Sequence, residues 1–186
     1  VGLTISAFAL ENFEVIGFDS NKQLVQNLNQ GISHIEGVES SLLRKGIESG
    51  KFVATFDGSA ISDVDVVVIA VPTPLTKDRK PDLSFIESAC KTIAENINHP
   101  VLVINESTSF PGTIRNVIKP LIEKLSPSMI EHEYAISPER VDPGRVDWDQ
   151  KNTPRLYAGL TPEASKQTRE FYSSFCDQLV EVSSPE

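Results

Sequence analysis

Val66-Val67-Val68-Ile69-Ala70-Val71-Pro72-Thr73-Pro74 decides the fold: six residues without a charge or a turn former run straight into a Pro-Thr-Pro corner. A run that apolar predicts a strand covered on both faces, which is the habit of parallel sheets flanked by crossover helices. The corner then fixes a loop at the strand's carboxyl end, the edge where open α/β sheets hold their ligands.

The same pattern recurs along the chain. Val101–Ile104 is a second buried strand, ending in Asn105-Glu106-Ser107-Thr108, and Glu133–Ile136 is a third, ending in Ser137-Pro138-Glu139-Arg140. Glu14–Asp19, Phe52–Phe56, Arg155–Ala158 and Leu179–Val182 complete the predicted strands. Helices are predicted between them. Lys22–Asn29 and Glu39–Glu48 end at Gly31 and Gly50, and Ser84-Phe85-Ile86-Glu87 reads as a capping box before an apolar stripe that includes Cys90. Ile114–Leu125 carries Pro120, which should kink it. Thr161 caps a helix that opens on Pro162 and is anchored by Phe171 and Phe175. This alternation implies a Rossmann-like, doubly wound α/β fold with a mainly parallel sheet and flanking helices over 1–186 as one domain.

Composition narrows the function. The 186 residues suffice for a sizeable core, roughly 70% of the unfolded surface being buried at this length. A net charge of −9 and a pI near 4.9 argue against nucleic-acid or anionic-membrane partners while leaving room for a local basic pocket. No apolar run has transmembrane length and no signal peptide is recognisable. Cys90 and Cys176, both in helix-like stretches, read as reduced core thiols, which favours the cytoplasm.

The first residues, Val1-Gly2-Leu3, open a helix, and the strand after it ends in Asp19. A glycine at a helix start with an acid seventeen positions on matches the second half of a dinucleotide-binding βαβ unit, in which the acid takes the ribose hydroxyls. Asp19 could equally cap the next helix. In the strand order 3-2-1-4-5-6, a further strand and a Gly-x-Gly turn belong between the strand ending at Asp19 and Val66–Val71. They are expected upstream of Val1, so the 186 residues alone are expected to bind a dinucleotide weakly and to catalyse nothing.

Parallel strands bring Pro72-Thr73-Pro74, Glu106-Ser107-Thr108 and Pro138-Glu139-Arg140 to one edge. With Val1-Gly2-Leu3, Gly17-Phe18-Asp19, Pro81-Asp82-Leu83, Pro111-Gly112-Thr113, Ser137–Gly144 and Asn152-Thr153-Pro154, they stand in an order that resembles the nucleotide-sugar 6-dehydrogenases. The similarity spans the chain and is nearest the branch acting on UDP-N-acetylmannosamine and UDP-N-acetylglucosamine in bacterial polysaccharide synthesis, rather than UDP-glucose dehydrogenase.

The resemblance implies an NAD-dependent, two-step oxidation of a sugar C6 alcohol to the carboxylate through a cysteine thioester. Its nucleophile, lysine and asparagine would come from later domains, and neither Cys90 nor Cys176 has the family's Gly-x-Cys setting. By position, Gly2, Asp19, Val71, Thr73, Ser107 and Thr108 match cofactor-contacting residues. Thr108 and Glu139 match catalytic positions that hold the hydrolytic water, and Arg140 and Val141 match the stretch that meets the UDP-sugar. No metal is implied. UDP-glucose dehydrogenases carry a second glutamate where this chain has Pro143, which puts that role in doubt even with Asp142 adjacent. The parent enzyme would be a homodimer through a central helix outside this chain. A hydroxyacid or 6-phosphogluconate type of dehydrogenase would keep Asp19 without the Ser137–Gly144 motif, and a non-catalytic nucleotide-binding module would keep the fold alone.

Overall fold

A computed structural model describes residues 2–33, 40–127, 130–140 and 151–186. Helix α1 (Gly2–Ala9) leads to β1 (Val15–Phe18), α2 (Lys22–Asn29), α3 (Ser40–Glu48), β2 (Phe52–Thr55) and β3 (Val66–Ile69). Helix α4 (Ser84–Asn96), β4 (Leu102–Asn105), α5 (Lys119–Leu125), β5 (Glu133–Ile136), β6 (Arg155–Gly159), α6 (Pro162–Ser173) and β7 (Leu179–Glu181) follow. The order β3-β4-β5-β6-β7 forms one sheet and β1-β2 a second. Every pairing is parallel except β5 with β6.

Three cores explain the layers. Helices α4 and α5, with Ile118 just before α5, pack Ile86, Ile93, Ile118 and Ile122 against Ile69 and Val103 on one face of the larger sheet. On the other face α1 and α6 pack Ile5, Ala9, Ala164 and Tyr172 against Leu102, Ile104 and Ala135. The third core joins Leu3 and Ala7 of α1, and Leu10 just after it, to α2, α3 and β2. Helix α1 therefore buries apolar residues in two directions and spans the junction between the sheets, as a helix apolar all round must.

Sheet register explains a departure from expectation. The run from Val66 forms a ladder only to Ile69, and Val66, Val67 and Val68 are half-buried, whereas β4 is buried throughout. Leu102 N donates to Asp65 O and Glu106 N to Ile69 O, so the odd residues of β3 face β4 and Val66 and Val68 face the other way. Val15 N donates to Lys51 O just before β2 and Asp19 N to Thr55 O at its end, so the amides of Ile16 and Phe18 turn away from β2. The two sheets meet across this break, where the strand order expects another strand.

Local chemistry departs from expectation twice more. The cap of α4 is not Ser84: Asp82 Oδ1 accepts from Ser84 N at 3.0 Å and Leu83 holds the N-cap position without a side-chain bond. Pro120, expected to kink one helix, sits in the first turn of α5, directly after a π-helical turn over Ile114–Ile118. The wider turn absorbs the missing amide. Gly31 and Gly50 have φ of 73° and 72°, as helix-terminating glycines should, and Thr161 Oγ1 accepts from Ala164 N. Glu39, the expected start of α3, lies outside the described residues.

The break makes a prediction for hydrogen exchange. The amides of Val66 and Val68 should exchange orders of magnitude faster than that of Ile104, and a longer chain that inserts a strand there should protect them. Equal protection of Val66, Val68 and Ile104 in this chain would refute the split.

Candidate active site

The carboxyl ends of β3, β4 and β5 are tied together by the polar residues that follow them. Ser107 is buried; its Oγ accepts from Val71 N at 2.8 Å and donates to Ile69 O at 3.3 Å. Ser137 N donates to Asn105 O, and Glu139 N to Glu106 O. Val71, Ser107 and Glu139 thus meet on one edge. Thr73 is half-buried there, and Thr108 and Arg140 are exposed beside them. Val141, Asp142, Pro143 and Gly144 lie outside the described residues, so the Val141 assignment and the second-carboxylate question stand as sequence expectations.

Asp19 and Gly2 come from the other side of the break. Asp19 ends β1, and its Oδ1 accepts from Asn21 N at 2.8 Å; the cap of α2 is Asn21, whose side chain accepts from Gln23 N and Leu24 N. This removes the capping alternative for Asp19. Gly2 opens α1 against Ala70, just past β3, where an added Cβ would meet Ala70 Cβ at 3.4 Å, an ordinary contact. The first amides of α1, which have no intrahelical acceptor, therefore lie at the ligand edge.

Behind this edge lies a cluster the sequence reading did not assign. Arg155 Nη1 donates to Glu106 Oε1 at 2.6 Å and to Ser137 Oγ at 3.1 Å, while Nη2 reaches Glu139 Oε2 at 3.4 Å. Tyr172 donates its hydroxyl to the same Glu106 oxygen at 2.6 Å and places its ring under the guanidinium, 4.4 Å from its centroid. The Glu106 side chain is 0% exposed, that of Arg155 4% and that of Glu139 13%. Burial pushes the Glu106 carboxyl up to about 7 against the pull of Arg155 and Tyr172. Burial opposes the charge on Arg155, but Glu106, Tyr172 and Glu139 outweigh it and its pKa is raised.

Register shows why Arg155 arrives here. Parallel strands deliver only their carboxyl ends to this edge, but β6 runs antiparallel to β5 with Ile136 opposite Ala158. Three residues further along that register, Glu139 stands opposite Arg155. The available signal was an arginine opening a strand that also holds Tyr157 and Ala158, since a cation at an inward position needs a carboxylate.

Cys176 borders this cluster beside Arg155, but neither thiol is poised as a nucleophile. Cys90 and Cys176 are buried and free of disulfide, and burial raises them to about 12 and about 11. No group of metal-ligating side chains gathers among the described residues, and no described helix is long and apolar enough to cross a membrane. A cavity of about 460 Å³ opens at the opposite, amino ends of the strands between Phe13, Val66, Leu102 and Phe171. Its charged lining residues are acids, Asp65, Glu133 and Glu170, so it does not suit a polyanionic dinucleotide.

Residues 1–176 match the NAD binding domain of the UDP-glucose/GDP-mannose dehydrogenase family. The chain belongs to this family. It is 33% identical to the UDP-N-acetyl-D-mannosamine dehydrogenase of Pyrococcus horikoshii and 34% identical to that of Escherichia coli K12, aligning 94% and 95% of its own length. It covers 42% and 44% of those two proteins, less than half of each. The solved structure of UDP-D-ManNAc dehydrogenase from P. horikoshii superposes with a TM-score of 0.91 at 30% identity, covering all of this chain and 45% of that one. Membership makes NAD the cofactor. The residues fit it, with a carboxylate at the end of β1 and the open amides of α1 at the carboxyl edge of β3.

The raised Glu106 pKa predicts a pH dependence of stability. From about pH 4.5 to about 7 the folded chain keeps a proton on Glu106 that the unfolded chain has released, so stability falls as pH rises through that window. The effect is on the order of 3 kcal/mol. Denaturant midpoints measured against pH should lose this slope in Glu106→Gln.

Proposed function

We propose that this chain is the cofactor domain of a longer enzyme that oxidises the C6 alcohol of a UDP-N-acetylhexosamine, of the mannosamine or glucosamine type, to the uronic acid. The carrying observation is Glu139, held on Arg155 at the ligand edge and still partly open to it. The overall change is RCH2OH + 2 NAD⁺ + H2O → RCOO⁻ + 2 NADH + 3 H⁺, so two hydrides leave the sugar and one water enters. NAD, when bound, accepts the hydride.

In this reading Asp19 accepts the ribose hydroxyls, and the α1 amides beside Gly2 receive the pyrophosphate, as helix N-termini favour anions. Val71, Thr73, Ser107 and Thr108 line the cofactor's path along the edge. The hydroxyl of Ser107 already bridges β3 and β4, so its part is to fix that path. Thr108 and Glu139 hold the water that hydrolyses the thioester, Glu139 accepting its proton. Arg140 and Val141 meet the sugar nucleotide. The thioester cysteine belongs to a later domain, in keeping with the two inert thiols here. Polysaccharide synthesis in the cytoplasm, and a homodimer formed through the later central helix, complete the proposal.

Two measurements on the full-length polypeptide check it. Counting two NADH per UDP-sugar separates this chemistry from a single-hydride dehydrogenase. Because the 2′-phosphate of NADP would sit beside Asp19 as a like charge at around 4 Å, costing about 1 to 4 kcal/mol, kcat/KM should favour NAD by about tenfold or more. Equal efficiency with both cofactors would remove Asp19 from the ribose. Glu139→Gln should form aldehyde normally but accumulate a covalent thioester visible by mass spectrometry, and normal turnover of that variant would return Glu139 to a structural role.

A further inference from the structure

We propose that Arg155 is the positioning residue for Glu139, and that Glu106 and Tyr172 are the buried base that holds its guanidinium in place. The inference rests on the reading of Glu139 as the group that holds the hydrolytic water.

The guanidinium is a rigid planar fork, so anchoring one nitrogen fixes where the other points. Nη1 is anchored on Glu106 Oε1, Ser137 Oγ and Ser137 O. The Tyr172 ring sets the plane from below, and the Tyr172 hydroxyl shares the same Glu106 oxygen, so base and platform are one unit. With those constraints Nη2 projects toward the sheet edge and meets Glu139 Oε2. The other Glu139 oxygen accepts from Arg140 N at 2.7 Å, so both carboxylate oxygens have a fixed donor and the side chain has one orientation.

A purely stabilising ion pair gives no reason for this asymmetry. Buried pairs contribute little net stability, and one carboxylate here is fully enclosed while the other stays partly open at the edge. Glu106 Oε2 has no hydrogen-bond partner, a cost the fold accepts so that Oε1 can serve both Arg155 and Tyr172. The ionisable groups facing Arg155 are Glu106 after β4, Glu139 after β5, Tyr172 on α6 and Cys176 beyond it. Only Glu139 among them is on the open side.

The test uses the full-length polypeptide, with first-hydride formation followed by stopped flow and acid release followed by steady-state turnover and mass spectrometry of the covalent adduct. Arg155→Met should slow acid release by about tenfold or more, with first-hydride formation and NAD Kd within about twofold of wild type. Arg155→Met strands Glu106, so Glu106→Gln/Arg155→Met, which removes both charges, serves if the single variant does not fold and should show the same kinetics. Arg155→Lys keeps a cation and should recover acid release only in part, since an ammonium lacks the fork.

Acid release at the wild-type rate in the double variant or in Arg155→Lys overturns the proposal, and so does a parallel fall of both hydride steps. Glu139→Gln separates the two claims. If it turns over normally, the reading of Glu139 fails and Arg155 falls with it. If it stalls at the thioester while the Arg155 variants do not, only the positioning role fails.

Discussion

One antiparallel pairing, β5 with β6, in an otherwise parallel-paired sheet sets the chemistry of this edge. A buried guanidinium needs carboxylates on it, and the two available ones stand at the ends of neighbouring parallel strands, β4 and β5. A strand running the same way as β5 would carry its first residue to the opposite side of the molecule. Reversing β6 brings Arg155 to Glu106 and Glu139, and α6, which follows directly, then lays Tyr172 under the guanidinium. Direction of chain, charge pairing and the pose of an edge carboxylate are therefore one constraint.

The break between β1 and β3 is the second organising feature. Each half carries its own core, and α1 is common to both because its apolar residues point two ways. The same helix places its amino end at the carboxyl edge of β3, so the element that couples the halves also supplies the open amides expected at a phosphate site. Asp19, at the end of β1, lies across the break from Val71, Ser107 and Glu139. The proposed cofactor contacts are split between the two sheets, and the proposed catalytic contacts lie wholly on the larger one.

Much of this was legible in the sequence, because apolar runs ending in polar corners encode both strand position and ligand edge. Val66–Ile69, Leu102–Asn105 and Glu133–Ile136 were readable in that way, and so were the terminating glycines of α2 and α3. The direction of β6 was not. Five residues, Arg155–Gly159, carry the same composition whichever way they run, and direction comes from pairing with β5. The role of Glu106 was hidden for a related reason: in sequence it is one polar residue in a corner, and only the fold shows that it turns inward onto Arg155 while Thr108 turns out. The cap of α4 was misread because the Asp82 carboxylate accepts from Ser84 N where the pattern pointed to Ser84 itself as the cap.

The central claim is that Arg155 and Glu106 form a single charged unit on which the edge is built, and a double-mutant cycle of unfolding free energies at about pH 8, above the titration of Glu106, tests it most directly. Arg155→Met alone should cost about 3–5 kcal/mol by stranding a buried carboxylate, and Glu106→Gln/Arg155→Met should recover most of that loss. Losses that simply add would show that the two residues act independently and would contradict the account.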